Sequence, residues 1–196
     1  MTRIIGGTAG GRRLEVPKGS NTRPTSDRVR EALFSAVESW CGSWQGLRFL
    51  DLYAGTGAVG LEAVSRGAEE ALLVEHDRRT AELIRRNARS LGFDRVRVVT
   101  SSVSTFLAQA DPVPYDVVFL DPPYPMGSDA VAADLALLTQ RGWLAEEALV
   151  VVERAKRGGL PAWPAGISPV KERKYGETLL GYGRAASDQQ AAGDGE

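Results

Sequence analysis

The stretch DLYAGTGAVG, residues 51–60, places one acidic residue and three glycines between an apolar run and a helical segment. Gly55, Gly57 and Gly60 match the spacing G-x-G-x-x-G, which joins a strand to the start of a helix in open α/β sheets. The run that leads into it, residues 47–53, has the composition of a buried strand. The stretch therefore predicts the first strand, a glycine loop and the helix that follows.

Strands and helices alternate along the rest of the chain. Further β-rich runs cover residues 70–76, 96–101, 115–121 and 148–154. Helical stretches cover residues 57–67, 77–92, 104–110 and 128–144. This alternation predicts an α/β fold with a mostly parallel sheet and helices on both faces. The segment PVKERKYGETLLGYGR, residues 169–184, predicts two antiparallel strands around a turn at Tyr175 and Gly176.

The segment DRRTAELIRRNARSLG, residues 77–92, is the clearest helix in the sequence. Ala81, Ile84, Ala88 and Leu91 recur at helical spacing, which predicts that they form its buried stripe. Gly92 is typical of a helix C-terminus, because glycine adopts left-handed backbone angles without steric cost. We therefore expect the helix to end at this glycine.

Residues 1–40 precede the alternating region as an extension. RIIGG and RRLEVP flank a glycine-containing turn and predict a β-hairpin. The segment TSDRVREALFSAVESW, residues 25–40, predicts a helix capped by Thr25 or Ser26. Its buried stripe should contain Val29, Leu33, Val37 and Trp40.

Composition and length are those of a globular domain. Of the 196 residues, 43% are hydrophobic and 25% are charged, which is ordinary for a soluble protein. No apolar run approaches the roughly 18–20 residues of a membrane span, and no signal-peptide pattern opens the chain. The single cysteine, Cys41, excludes an internal disulfide and a cysteine-rich metal site. We therefore expect a cytoplasmic protein.

Charge is distributed unevenly. Residues 1–30 contain seven basic and two acidic residues, a balance of +5, so the formal net charge of −1 leaves −6 for residues 31–196. The basic extension favours an anionic partner, and a solvated surface hairpin explains the charge equally well. The last twelve residues contain three acids and no large apolar side chain, which predicts a disordered tail.

Two acidic residues end predicted strands beside the glycine loop. Asp51 ends the first strand and Glu75 the second, and open α/β sheets bind ligands at such strand ends. Glu75 suits the ribose hydroxyls of either a dinucleotide or S-adenosylmethionine. Asp51 would repel a pyrophosphate but suits the ammonium and sulfonium groups of S-adenosylmethionine. Three interpretations fit these residues: a dehydrogenase, a methyltransferase and a loop without a ligand.

The motif LDPPY, residues 120–124, follows the fourth predicted strand and favours the methyltransferase. Prolines end a strand because they cannot donate to a sheet ladder, but this does not explain the aspartate or the tyrosine. A carboxylate oxygen of Asp121 and the carbonyl of Pro122 can accept hydrogen bonds from the exocyclic amino group of a base. Pro123 stiffens the turn, and Tyr124 can stack on the base. This chemistry requires no metal.

Together these motifs resemble a known family. Residues 51–60 with DPPY look like the amino-methyltransferase group of Rossmann-like, class I methyltransferases. RIIGGTAGGRRLEVP, TRPTSDRVREALF and KYGET are similar specifically to the RsmD family of bacterial rRNA methyltransferases. The resemblance covers residues 3–184. It implies a seven-stranded methyltransferase sheet in residues 41–184 and a hairpin-and-helix extension that binds RNA in residues 1–40, with the predicted disordered tail in residues 185–196.

The resemblance also implies the reaction. Members act on N2 of a guanine in 16S ribosomal RNA, of the type at position 966, with S-adenosylmethionine as the methyl donor. A DNA adenine-N6 methyltransferase shares DPPY, but the chain has no separate target-recognition domain. A catalytically idle RNA-binding assembly factor is a third interpretation, against which the intact DPPY motif argues.

The expected site residues fall into three groups. The reaction centre should contain Asp121, Pro122, Pro123 and Tyr124. The cofactor should lie against Asp51, Tyr53, Ala54, Gly55, Gly57, Glu75, His76, Ser102 and Val103. The RNA should contact Tyr124 and the arginines Arg3, Arg12, Arg13 and Arg23.

One position departs from the family's pattern. After the third strand such enzymes commonly carry an aspartate that meets the adenine amino group, whereas this chain has Ser101, Ser102 and Val103. Ser102 would accept that hydrogen bond more weakly than a carboxylate, and Val103 can pack on the adenine ring. His76 is open between packing beside adenine and a surface position at the strand end. Arg23 is open between a ligand contact and ordering the start of the helix.

Overall fold

The computed structural model describes residues 2–19 and 26–187. The expectations for Arg23, for Thr25 as a cap and for residues 188–196 of the tail lie outside the described residues. The chain divides into two compact units, Met1–Ser102 and Val103–Glu196. None of the helices in the described ranges is long and apolar enough to cross a membrane.

In its described residues, the first unit contains a small hairpin, three helices and three strands of the main sheet. In chain order its elements are β1 (Thr2–Arg3), β2 (Arg13–Leu14), α1 (Asp27–Cys41), β3 (Arg48–Leu52), α2 (Ala58–Ser65), β4 (Glu70–Glu75), α3 (Arg78–Leu91) and β5 (Val96–Thr100). β1 and β2 pair antiparallel, as predicted, but over only two residues each. β3 and β5 both pair parallel with β4, which lies between them.

Up to residue 187, where its description ends, the second unit contains two helices and four strands. In chain order its elements are α4 (Val103–Gln109), β6 (Tyr115–Leu120), α5 (Ser128–Gln140), β7 (Leu144–Ala155), β8 (Ile167–Tyr175) and β9 (Thr178–Ala185). β6 and β7 are parallel, and β9 pairs antiparallel with both β7 and β8. The seven strands from β3 to β9 belong to one mostly parallel sheet. This confirms the predicted fold class and the antiparallel pair at the end of the sheet.

Helix α3 follows its predicted stripe. Ala81, Ile84 and Ala88 are buried, and Leu91 in the last turn is half-buried. The helix ends at Gly92, which adopts left-handed angles with φ 72°. Its amide donates back into the last helical turn, which satisfies carbonyls that would otherwise lack a partner.

Helix α1 begins at one of the two predicted caps, because the Ser26 side chain accepts a hydrogen bond from Val29 N. The buried residues of the predicted stripe are Val29, Leu33 and Val37. The prediction was wrong for Trp40, which is 37% exposed. The chain turns back after the helix, so Trp44 is buried instead, with its ring centroid 5.3 Å from that of Phe34.

Helix α5 is shorter than predicted. It was expected to reach residue 144 but ends at Gln140. Gly142 has φ 84° and turns the chain out of the helix. Trp143 then enters the core, where its Nε1 donates to the Leu107 carbonyl at 3.1 Å. Strand β7 consequently starts at Leu144, earlier than its predicted boundary. Strand β9, which pairs with β7, ends at Ala185, so the prediction of a disordered tail was wrong for this residue.

Candidate functional site

The glycine loop connects β3 to α2 through tight turns. Ala54 N donates to Val74 O at 3.0 Å, and Gly57 N donates to Ala54 O at 2.9 Å. Tyr53, Gly55 and Gly57 have left-handed backbone angles, with φ of 63°, 56° and 80°. Glycine adopts this conformation readily, but a tyrosine does so at an energetic cost. Such strained positions are concentrated at ligand sites.

The three glycines of the loop have different surroundings. A Cβ atom on Gly57 would lie 2.8 Å from Ile84 Cγ2, and one on Gly60 would lie 2.7 Å from Leu73 Cγ. These two glycines therefore allow α2 to pack closely on α3 and β4. A Cβ atom on Gly55 would meet no described atom within 4 Å. The backbone at Gly55 is accordingly open to a ligand.

Asp51 holds the start of α2. The residue is buried, and its Oδ2 accepts a hydrogen bond from Gly60 N at 2.9 Å. Gly60 lies in the first turn of α2, so the carboxylate also meets the positive end of the helix dipole. The sequence analysis expected Asp51 to contact the cofactor. The structure adds a structural role, and the cofactor contact stays a prediction.

Glu75 is oriented by two backbone amides. Its Oε2 accepts from Gly55 N at 2.8 Å, and its Oε1 accepts from Asp77 N at 3.0 Å. A carboxylate accepts several hydrogen bonds, so these contacts orient Glu75 and leave acceptor capacity for hydroxyl donors. A fixed carboxylate beside the glycine loop can accept hydrogen bonds from the hydroxyls of a ribose. This fits either a dinucleotide or S-adenosylmethionine, and the cofactor contact of Glu75 stays a prediction.

The remaining predicted cofactor residues differ in exposure. The His76 side chain is 76% exposed, with Nδ1 3.3 Å from Glu75 Oε1, which corresponds to a surface position at the strand end. Ser102 is exposed, and its carbonyl accepts from Ser101 Oγ at 2.9 Å. Val103 is buried at the start of α4. Contacts of these residues with an adenine ring stay predictions.

Asp77 connects the Glu75 carboxylate to the start of α3. Its side chain caps the helix, because Oδ1 accepts from Thr80 N at 2.8 Å. This backbone hydrogen bond lowers the pKa of the Asp77 carboxyl below its ordinary value. Among the described residues, no group of three or more His, Cys, Asp and Glu side chains is placed to hold a metal ion.

The DPPY motif forms a closed turn at the carboxyl end of β6. Met126 N donates to Pro123 O at 2.9 Å, which brackets Tyr124 at the tip. Asp121 is half-buried and Pro122 is buried, whereas Tyr124 is 68% exposed. A large aromatic ring exposed on a hydrogen-bonded turn costs hydrophobic stabilisation. This exposure is expected of a ring that stacks on a partner.

Arg154, which is not among the site residues predicted from the sequence, holds the same turn. This β7 residue is only 8% exposed, and its Nη2 donates to Met126 O at 2.6 Å. Its Nε is buried with no hydrogen-bond partner among the described residues. An arginine at the end of the apolar run ALVVVER was the available signal. Its partner could not be inferred, because Met126 is 28 positions away.

The arginines of the basic extension are in different environments. Arg12 Nη2 donates to Ser90 O at 2.9 Å, and Arg3 Nε lies 4.0 Å from an Asp27 carboxylate oxygen. Arg13 is exposed on β2. The described residues include no ion-pair partner for Arg13. RNA contacts of these three arginines stay predictions, and Arg13 has the least competition from the protein itself.

Glu62 is a second residue that the sequence analysis missed. It is fully buried in α2, and its two carboxylate oxygens accept from Ile5 N at 2.8 Å and Gly6 N at 2.9 Å. Its charge is balanced by Arg30 Nη1 at 3.3 Å and Arg66 Nε at 2.8 Å. The carboxylate therefore fixes the loop after β1 onto α2.

Ser65, one turn further along α2, continues this attachment. Its carbonyl accepts from Thr8 N at 2.7 Å, and its Oγ accepts from Ala9 N at 2.9 Å. Gly7 packs so closely that a Cβ atom would lie 1.9 Å from the Ser65 carbonyl oxygen. One end of α2 thus carries the glycine loop, and the other carries the N-terminal loop.

Comparison with protein families gives a match over almost the whole chain. The family model described as conserved hypothetical protein 95 matches residues 2–184. The chain is 42% identical over 196 residues to Ribosomal RNA small subunit methyltransferase D of Escherichia coli strain K12, covering 97% of this chain and 93% of the relative. It is 36% identical over 177 residues to the protein of the same name from Haemophilus influenzae, covering 89% of each.

Solved structures agree with the fold. The structure of yhhF from Escherichia coli matches with a TM-score of 0.84 and 40% identity, covering 95% of this chain and 99% of that one. Much more distant chains share the fold alone, among them TrmN from Thermus thermophilus at a TM-score of 0.64 and 18% identity.

Proposed function

Because the chain belongs to the RsmD family, we propose that it is a methyltransferase that modifies ribosomal RNA with S-adenosylmethionine as its cofactor. The finer proposal is that the acceptor is N2 of a guanine in 16S RNA of the small subunit, of the type at position 966. In this proposal residues 1–40 bind RNA and residues 41–184 carry the reaction. An rRNA substrate also implies that the enzyme acts in the cytoplasm.

The acidic and glycine residues at the end of β3 and β4 would hold the cofactor. S-adenosylmethionine, when bound, supplies an electrophilic methyl group. Glu75 would accept hydrogen bonds from its ribose hydroxyls. The glycine loop would face the methionine end of the cofactor through Tyr53, Ala54, Gly55 and Gly57. Asp51 supports this loop. His76, Ser102 and Val103 are the remaining candidates for contacts with its adenine.

The observation that carries the proposal is the DPPY turn. An exocyclic amino nitrogen is a weak nucleophile, because its lone pair is delocalised into the base. Acceptors on its N–H groups favour a lone pair directed at an electrophile. The carboxylate of Asp121 and the carbonyl of Pro122 provide two acceptors on a turn stiffened by Pro123. Tyr124 offers an exposed ring on which an unstacked guanine can lie.

A methyl-transfer assay with isotopically labelled S-adenosylmethionine tests the proposal. The substrates are 16S rRNA, the partly assembled small subunit and duplex DNA. We expect label in rRNA or in the subunit, recovered as N2-methylguanosine after digestion and mass spectrometry. Label recovered as N6-methyladenine in DNA would contradict the rRNA proposal. RNA binding without transfer to any of the three substrates would instead indicate an assembly factor.

A further inference from the structure

One face of α3 is densely basic. When each helical residue turns about 100°, all five arginines of the helix fall within about 120° of its circumference. We call this surface the α3 arginine face; it consists of Arg78, Arg79, Arg85, Arg86 and Arg89. Glu82 is the one acidic residue of the helix. The helix itself therefore carries a net charge of +4.

Most of this charge is not neutralised within the protein. Arg85 Nη1 lies 2.5 Å from Glu82 Oε1, and Arg86 Nε lies 3.5 Å from Glu15 Oε2. The side chains of Arg78, Arg79 and Arg89 are exposed. In the described part of the chain, no acidic side chain pairs with these three arginines.

The N-terminal extension lies along the same helix. Arg12 Nη2 donates to the Ser90 carbonyl at 2.9 Å, in the last turn of α3. Glu15 N donates to Asn87 Oδ1 at 2.9 Å, and Asn87 Nδ2 donates back to Glu15 O at 3.0 Å. The chain from Arg12 to Glu15 therefore runs along α3 from its last turn towards its N-terminus. Arg12 and Arg13 extend the basic surface beyond the helix.

We infer that the α3 arginine face binds the phosphate backbone of RNA, and this inference rests on the proposed rRNA substrate. Guanidinium groups bind phosphate through paired hydrogen bonds. Arg79 and Arg89 are about 15 Å apart along the helix. A basic surface of this length can contact several phosphates of one strand. The start of α3 adjoins Glu75 through Asp77. RNA along this face would therefore lead towards the glycine loop.

A membrane surface is the other large anionic partner to consider. Helices that lie on membranes insert apolar side chains between the lipids. The exposed residues of α3 are arginines, one glutamate and one serine, and they include no apolar side chain. The face therefore has the charge to attract lipid headgroups but no group to insert. Nucleic acid is the better match.

The test compares the salt dependence of RNA binding in two charge-matched variants. Arg79→Ala/Arg89→Ala removes two arginines of the face and keeps the helix, since alanine is the strongest helix former. Arg95→Ala/Arg97→Ala removes two exposed arginines that lie beside Glu69, Glu70 and Asp94. Fluorescence anisotropy with a short labelled single-stranded RNA gives the slope of log K against log salt concentration.

We expect the face variant to reduce that slope by about 1.4, since each phosphate contact to a single strand contributes about 0.7. The control variant should keep the wild-type slope. Equal slopes for wild type and face variant would overturn the inference, as would an equal reduction in the control. Loss of binding to phosphatidylserine vesicles with an unchanged RNA slope would also overturn it.

Methyl transfer is measured separately, so the two ideas can fail independently. If the wild type methylates 16S rRNA and the slope is unchanged in the face variant, the face is not the RNA surface but the proposed function stands. If the slope falls as expected while no rRNA is methylated, the face binds RNA and the proposed function is wrong.

Discussion

Arg30 and Glu62 form an ion pair inside the first unit, with 3.3 Å between Arg30 Nη1 and Glu62 Oε1 and side chains that are 1% and 0% exposed. Burying either charge alone would be costly, because the interior solvates ions poorly. Arg30 Nη2 also donates to the Arg3 carbonyl and to Asp27 Oδ1, both at 2.9 Å. The pair thus joins α1 and the N-terminal hairpin to α2.

Replacing Glu62 with glutamine should strongly destabilise the protein. Glu62→Gln removes the fully buried carboxylate beside Arg30 and leaves Arg30 with Asp27, whose side chain is 57% exposed. Breaking a buried pair costs about 3–5 kcal/mol. Urea unfolding followed by circular dichroism measures this change. Glu38→Gln is the control, because Glu38 lies 3.7 Å from Arg66 with its side chain 51% exposed, and exposed pairs contribute about 0–1 kcal/mol.

A double replacement keeps this prediction testable if the single variant does not fold. Arg30→Met/Glu62→Met removes both fully buried charges and should be more stable than Glu62→Gln, because Arg30 no longer needs a buried partner and Arg66 keeps Glu38 at 3.7 Å. A double variant less stable than Glu62→Gln would show that the hydrogen bonds to Ile5 and Gly6 matter more than the charge pair.

Glu75→Gln should weaken binding of S-adenosylmethionine. The substitution keeps the side-chain size but removes the charge and one of the two acceptor oxygens, so we expect a loss of about 1–3 kcal/mol in affinity. Isothermal titration calorimetry with the wild type and the variant measures it. Glu82→Gln, on the exposed face of α3, is the control and should bind normally. An unchanged affinity for Glu75→Gln would remove this residue from the cofactor site.

Asp121→Ala should slow methyl transfer by ~10²-fold or more, because it removes an acceptor aimed at the reacting amino group. Single-turnover kinetics with 16S rRNA measure the chemical step directly. Cofactor affinity, measured by calorimetry, should fall far less. Asp129→Ala, in the first turn of α5, is an exposed control. Transfer at the wild-type rate by Asp121→Ala would mean that DPPY is only a strand terminator.

Tyr124 should act through its ring rather than its hydroxyl. Tyr124→Ala should weaken productive RNA binding by about 1–3 kcal/mol, the usual contribution of one base stacked on an aromatic ring. Tyr124→Phe preserves the ring and should retain most activity. Both variants should fold normally, since the side chain is 68% exposed. If the phenylalanine variant is as impaired as the alanine variant, stacking is not the explanation.

Tyr182 should make the protein sensitive to alkaline pH. Burial raises the pKa of this β9 tyrosine to about 12, whereas an unfolded tyrosine titrates near pH 10. The folded state therefore holds the proton more tightly. The resulting stabilisation is complete below about pH 10 and is lost as the pH rises towards about 12. Urea unfolding across this range should show a steeper decline for the wild type than for Tyr182→Phe; parallel declines would contradict the assignment.

Local patterns predicted much of the fold. The spacing of Ala81, Ile84 and Ala88 identified the buried side of α3, because residues three, four and seven positions apart lie on the same face of a helix. The same reasoning failed for Trp40, since whether the last turn of a helix is covered depends on the chain that follows. There Trp44 is buried, whereas Trp40 is 37% exposed.

The contacts that position the candidate site were harder to predict. Glu75 was identified at a strand end, but its hydrogen bond to Gly55 required the register of two strands. Glu62 gave no local signal, because its partners Ile5 and Gly6 lie 57 and 56 positions away. An acidic residue in a short helix is ordinarily solvated. Only the folded chain shows that this one is enclosed.

The attachment of the N-terminal loop to α2 has a practical consequence for dissecting the protein. Removing the first dozen residues would delete the donors of five hydrogen bonds to Glu62 and Ser65. It would also expose the Glu62 carboxylate, which lies in α2, the helix that begins at the glycine loop. A shortened chain that loses activity would thus report damage to the helix that follows the glycine loop, whatever the extension does with RNA. Charge-neutralising point substitutions leave that helix supported and can separate the two roles.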